Sequence, residues 1–119
     1  MKYVRERKQF GKALSAFQNT QFELADMRTK LDACQLLVYR AAAVKDAEEA
    51  YGTYAAMAKM YAGDLSSDVT HRCLQLMGGY GYIRDYPMER MMRDAKIREI
   101  YEGTTEVQKM VVAASMKLK

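Results

Sequence analysis

Residues 18–48 read QNTQFELADMRTKLDACQLLVYRAAAVKDAE, and within them Leu24, Met27, Leu31, Cys34, Val38 and Ala41 step by three and four in alternation. That spacing lays the six side chains along one stripe of an α-helix. Asp26, Lys30, Arg40 and Lys45 fall on its polar face. Gly52 turns the chain, and Thr53 is expected to cap a second helix. Its stripe is Ala58, Tyr61, Leu65, Val69, Cys73 and Leu76, and Gly78-Gly79 should end it.

Downstream the pattern is shorter. Residues 78–86, GGYGYIRDY, are expected to be non-helical, and Pro87 should occupy the first position of a third helix reaching about Ile97. Glu89 with Arg93, and Arg90 with Asp94, are four apart, which predicts exposed ion pairs of roughly 0.2 to 0.5 kcal/mol each. The last helix begins near Thr104 or Thr105, where Thr105 and Gln108 have capping-box spacing, and Val107, Val111, Ala114 and Leu118 form its apolar stripe. No segment has the alternation or β-branched richness of a strand. The expected fold is an all-α bundle, a single domain over residues 1–119. Met27, Met57, Met60 and Met77 read as core filler. Met91, Met92 and Met110 are expected in the core as well, rather than on an adaptable contact surface.

The net charge of +4 is unevenly placed: Lys2, Arg5, Arg7, Lys8 and Lys12 stand against Glu6 alone in residues 1–12, and the rest of the chain is balanced. Nucleic acid is a poor partner for charge confined to one short segment, since a binding surface spreads it over a face. The longest uncharged stretch, Cys73 to Ile83, is shorter than the roughly 18 apolar residues of a membrane span, and no charged-then-apolar leader opens the chain. Neither a membrane nor a secreted protein is expected. Cys34 and Cys73 lie inside apolar helical patterns and read as buried thiols of a reducing compartment. With His71 as the one histidine, a structural zinc site lacks ligands. Ser67 and Asp68 precede His71 at helical spacing, which reads as a solvated helix face rather than a triad.

Four clusters remain for chemistry. Arg5, Arg7 and Lys8 before Gln9-Phe10-Gly11 suit a phosphate-bearing partner, through guanidinium forks, or simply a charged helix end. Gly78-Gly79-Tyr80-Gly81 follows a helix, so it is no dinucleotide fingerprint, which needs a preceding strand. In Tyr101-Glu102-Gly103-Thr104-Thr105-Glu106, a carboxylate at a helix N-terminus either favours the dipole or is a general base beside a glycine that lets substrate approach. Tyr80, Tyr82, Tyr86 and Tyr101 flank both loops, lining a pocket or covering a core.

Six strings then resemble, in order, the C-terminal helical domain of the acyl-CoA dehydrogenases: RERKQFGK at 5–12, FQNTQFELADM at 17–27, QLMGGYGY at 75–82, YPMER at 86–90, RDAK at 93–96 and IYEGTTEVQ at 100–108. The resemblance covers nearly the whole chain and is nearest to the short-chain, butyryl-CoA type. It implies an up-down four-helix bundle from a homotetrameric FAD enzyme that introduces a trans double bond between Cα and Cβ of an acyl thioester. Glu102 then matches the catalytic base, which removes the α-proton while a hydride leaves Cβ for the flavin. Tyr101 and Gly103 match positions beside the acyl substrate.

The same resemblance makes Arg7, Gln9 and Phe10 residues at the flavin pyrophosphate of a neighbouring subunit. Gln75, Gly78 and Gly79 match a loop at the adenosine end of that cofactor, and Thr104 and Glu106 match contacts to the flavin of the subunit carrying Glu102. It implies acyl-CoA as substrate, electron-transfer flavoprotein as electron acceptor, no metal, and a cytoplasmic enzyme, or a mitochondrial-matrix one in a eukaryote. The family's N-terminal helical and middle β-domains are missing, so a shortened chain without FAD or turnover of its own is expected. Two other readings stay open: a non-catalytic helical association module, and a reductase of an enoyl-CoA-type substrate running the same chemistry backwards.

Overall fold

The computed structural model describes residues 1–118. The chain is all-α apart from one minimal hairpin. Helix α1 spans Lys2–Glu6, strands β1 (Lys8–Gln9) and β2 (Lys12–Ala13) pair antiparallel, and a 3-10 turn covers Leu14–Ala16. Then come α2 (Gln18–Asp46), α3 (Gly52–Met77), the single turn α4 (Gly79–Tyr82), α5 (Met88–Lys96), a 3-10 turn at Ile97–Glu99, and α6 (Thr105–Ser115). Helix α3 is the hub, packing against α2, α5 and α6 in an elongated molecule of 58 × 28 × 24 Å. No described helix is long and apolar enough to cross a membrane.

Helix α2 fits the predicted range, but its stripe is only partly inward. Met27 is buried and Cys34 and Ala41 are half-buried, while Leu31 and Val38 are exposed. Leu36 and Tyr39 are exposed too, so α2 carries apolar side chains on more than the face that meets α3. The two helices are also tied by charge. Arg72 of α3 reaches Glu23 and Asp26 of α2 at 2.6 Å each, and Asp68 of its own helix at 3.2 Å. Asp68 is thereby taken from His71, and Ser67 donates to Glu99, so the described contacts assemble no triad. Both cysteines are free and half-buried, and burial pushes both thiols above their ordinary range.

Several expected boundaries and faces change. Thr53 lies within α3 and does not cap it. Residues 79–82 form a helical turn, because Gly81 is drawn against α3 so closely that a Cβ would sit 2.8 Å from the Leu74 carbonyl oxygen. Pro87 is the residue before α5 rather than its first. The Glu89–Arg93 pair forms at 3.0 Å, and no ion pair joins Arg90 to Asp94 among the described residues. Thr104, not Thr105, caps α6, accepting from the Val107 N–H at 3.3 Å. The Val107, Val111, Ala114 and Leu118 stripe faces outward, with Thr105 and half-buried Gln108 and Val112 inward. Met91, Met92 and Met110 are exposed rather than core, and of the four expected as core filler Met27 alone is buried, with Met57, Met60 and Met77 half-buried at its margin.

The hairpin is the strand pair that the periodicity gave no sign of. Two-residue ladders are too short to alternate, and the turn that closes this one has Phe10 at φ 50 and Gly11 at φ 79. Two positive φ values in succession are the signature of a type I′ turn, whose twist matches that of paired strands.

Candidate functional site

The end of α5 prepares the first cluster. Its last turn tightens to 3-10 geometry, the Tyr101 N–H bonds back to the Ile97 carbonyl at 3.0 Å, and the chain then turns through Glu102 at φ 55 and Gly103 at φ 87. A non-glycine residue in the left-handed region is uncommon, and such conformations concentrate at functional sites. Thr104 caps α6 immediately afterwards. The loop is therefore a sharp corner between two helices, with an exposed carboxylate at its apex.

Its backbone is held from two sides. The Lys59 ammonium of α3 donates to the Gly103 carbonyl at 2.5 Å, and the Gln108 amide of α6 donates to the same oxygen at 3.1 Å and to the Glu102 carbonyl at 3.2 Å. Gln108 thus binds the loop carbonyls rather than completing a capping box. Buried Thr105 donates to Asp64 at 3.1 Å. Glu106 sits in the first turn of α6, its carboxyl held below the ordinary range by its own backbone N–H and then by the Thr104 hydroxyl. Tyr101 is half exposed beside Glu102.

The second cluster forms where α1 and the hairpin meet the end of α3. Arg7 ends α1 in extended conformation, and its carbonyl accepts from the Leu14 N–H at 2.9 Å. The Tyr3 hydroxyl donates to the Met77 carbonyl at 3.1 Å, docking α1 on α3. Helix α3 stops at Gly78, whose φ 60 and ψ −141 are open only to glycine. Around these residues lies an open cleft of about 540 Å³, lined by Arg7, Gln9, Gln75, Gly78 and Gly79 among others. Arg7 stacks over the Tyr80 ring at 5.1 Å, and Tyr3, Tyr80 and Tyr86 pack edge-on or tilted with centroids 5.6–6.4 Å apart.

Five of the expected phosphate-site residues therefore come together, and one does not. Phe10 is 92% exposed at the hairpin tip, outside the cleft, because the turn that makes the hairpin points away from it. Nor do the two clusters merge. Lys59 and Gln75 are both on α3, sixteen residues apart, which is roughly 24 Å at 1.5 Å rise per residue. The sequence reading overlooked Lys59, Tyr3 and Leu14. Lys59 did leave a signal, being the sole charged residue from 50 to 63; the other two look like ordinary apolar positions.

The sequence model described as "Acyl-CoA dehydrogenase, C-terminal domain" matches residues 1–117. Over 114 residues the chain is 52% identical to the short-chain specific acyl-CoA dehydrogenase of Clostridium acetobutylicum, covering 96% of this chain and 30% of that one. It is 46% identical over 119 residues to the CarC subunit of the caffeyl-CoA reductase-Etf complex of Acetobacterium woodii, covering 100% of this chain and 31% of that one. The structure of butyryl-CoA dehydrogenase from Megasphaera elsdenii superimposes with a TM-score of 0.95 at 46% identity, over 98% of this chain and 30% of that one. The chain belongs to the acyl-CoA dehydrogenase family and corresponds to its C-terminal all-helical domain. It spans about three tenths of the length of these relatives.

Proposed function

We propose that this chain is the base-bearing part of an FAD-dependent short-chain acyl-CoA dehydrogenase, with Glu102 as the base that takes the α-proton of an acyl-CoA thioester. The observation that carries this reading is the corner at Glu102: a carboxylate held out at φ 55, followed by a glycine and pinned from two helices. An α-proton beside a thioester is weakly acidic, so the base must be placed within reach and shielded from water when substrate binds. The left-handed turn supplies the placement. Gly103 leaves room for the thioester, and Tyr101 flanks it.

The cleft's donor set suits a dinucleotide phosphate: a guanidinium, two side-chain amides and a glycine pair at a helix end. Arg7, Gln9, Gln75, Gly78 and Gly79 would hold the pyrophosphate and adenosine half of FAD from a neighbouring subunit, with Phe10 outside the cleft at the hairpin tip, while Thr104 and Glu106 would meet the flavin of their own. The roughly 24 Å between the clusters supports two cofactors rather than one shared site. Bound FAD supplies the acceptor for the hydride that leaves Cβ. Electron-transfer flavoprotein as the onward acceptor, a homotetramer and a cytoplasmic setting belong to the same reading, supported by the likeness to bacterial relatives.

In the full-length enzyme, Glu102→Gln should lower turnover by at least about 100-fold while the flavin absorbance is kept. Near-normal turnover in that variant refutes the assignment. The 119-residue chain by itself should be colourless and inactive toward butyryl-CoA, and a yellow, active sample overturns that expectation. The 46% identity with a reductase subunit favours one second reading, reduction of an enoyl-CoA-type substrate at the same site. Rates measured in both directions, with dye acceptor and with reduced flavoprotein donor, decide between them.

A further inference from the structure

The Glu102 corner is anchored unevenly. Among the described residues no hydrogen bond or ion pair engages the Glu102 carboxylate, whereas the carbonyls of Glu102 and Gly103 are both taken by side chains. Two donors from different helices converge on the Gly103 oxygen, the Lys59 ammonium at 2.5 Å and the Gln108 amide at 3.1 Å. The carboxylate is free and its backbone is not.

Lys59 is an expensive way to satisfy one carbonyl. It is half-buried in the apolar stretch YAAMAKMYAG, residues 54–63, and among the described residues Gly103 is its one hydrogen-bond partner. Drawing a lysine out of water toward a neutral acceptor costs free energy, but a charge-assisted bond is shorter and stiffer than a neutral one. The rest of that α3 face acts on the same loop. At Gly63, one turn on, a Cβ would stand 3.1 Å from the Arg98 carbonyl oxygen, so glycine lets the approach to the corner lie flat on α3. Asp64 accepts from Thr105 just after the corner. One short face of α3 thus grips residues 98, 103 and 105, on both sides of Glu102.

We propose that Lys59 is a positioning residue for Glu102: with Gln108 it pins the Gly103 carbonyl and so fixes the left-handed turn that directs the carboxylate. The assignment rests on the reading of Glu102 as general base. It implies that losing the pin loosens the corner without loosening the bundle, and that the chemical step suffers more than substrate binding. Misplacing a base by a fraction of an ångström slows proton transfer even when every binding contact survives.

Lys59→Met keeps the apolar stem and removes the donor, and Lys59→Arg keeps a charged donor. Amide hydrogen exchange in the 119-residue chain reads the pin directly. Lys59→Met should speed exchange at Tyr101 and Val107 by at least about tenfold and at Leu65 by less than about twofold, with Lys59→Arg close to the unsubstituted chain. Unchanged exchange at Tyr101 and Val107 overturns the proposal, and so does equal acceleration everywhere, which would make Lys59 a general stabiliser. In the full-length enzyme Lys59→Met should lower kcat by about tenfold or more with KM within about twofold, and Lys59→Arg should recover most of it. A raised KM at unchanged kcat contradicts it. An active Glu102→Gln enzyme refutes the base assignment and with it the catalytic consequence, whereas the exchange rates judge the pinning separately.

Discussion

Glu102 and Gly103 adjoin in the left-handed region, and their different tolerance of it sets the behaviour of the corner. At Gly103 a Cβ would meet the Gln108 amide nitrogen at 2.8 Å on top of the cost of φ 87. Gly103→Ala should therefore destabilise the chain by about 1–2 kcal/mol, from the left-handed penalty alone. Gly52 offers the contrast, since it opens α3 with nothing within 4 Å of a would-be Cβ. Gly52→Ala should stabilise by about 0.4–1 kcal/mol, chiefly by restricting the unfolded chain. Chemical denaturation of the two variants checks both signs. The motif around Glu102 was legible as a string of residues, but its φ values and the convergence of Lys59 and Gln108 were not, because they depend on three helices meeting.

At the scale of elements, α3 packs against α2, α5 and α6, and it meets α2 through one buried apolar contact and one ion-pair cluster. Met27 is 3% exposed against α3, so Met27→Ala should cost about 2–3 kcal/mol through lost burial and a residual cavity. Arg72 joins the same two helices through three carboxylates with its side chain 18% exposed. Arg72→Met should cost about 1–2 kcal/mol after allowance for screening, because Glu23, Asp26 and Asp68 are left facing one another. If thermal unfolding shows neither variant below the parent chain, the α2–α3 contact is not what holds the pair. Helix α2 was readable to within two residues at each end, since a long amphipathic run is the strongest local signal there is. Which of its apolar positions faces α3 was not, for Leu31 and Val38 share the periodicity of Met27 and stay exposed.

For the whole molecule, the outer faces and the charge pattern set the expected behaviour. Asp26, Glu99 and Glu106 all have carboxyl groups held below their ordinary values of 3.8 for Asp and 4.5 for Glu, the first two chiefly by Lys30 and Lys96. A lowered carboxyl binds its proton less readily when folded than when unfolded, so its stabilisation is complete above the ordinary value and disappears as pH falls below it. The thermal midpoint should thus hold from pH 7 to about 5 and drop below about 4.5, and a flat profile to pH 3 contradicts the sign. Helix α6 turns Val107, Met110 and Val111 outward, with Met110 70% exposed. Exposed apolar rows of this kind mark contact surfaces. Met110→Glu tests whether α6 is one between copies of this chain: a sedimentation profile identical to that of the parent chain excludes it.

Local patterning determined a good deal by itself: four helical segments, the glycine stop of α3, the basic leading segment and the family strings, all of which depend on neighbours within a few residues. Tertiary structure decided what such patterns leave degenerate. An apolar row at helical spacing turns inward on α3 and outward on α6, and nothing within the row distinguishes them. The separation of the Arg7 cleft from the Glu102 corner, and the lysine that reaches across to hold that corner, exist because one long helix carries contacts to both along its length. Sequence spacing encodes which residues share a face of one helix, and only the packing of helices encodes which faces meet.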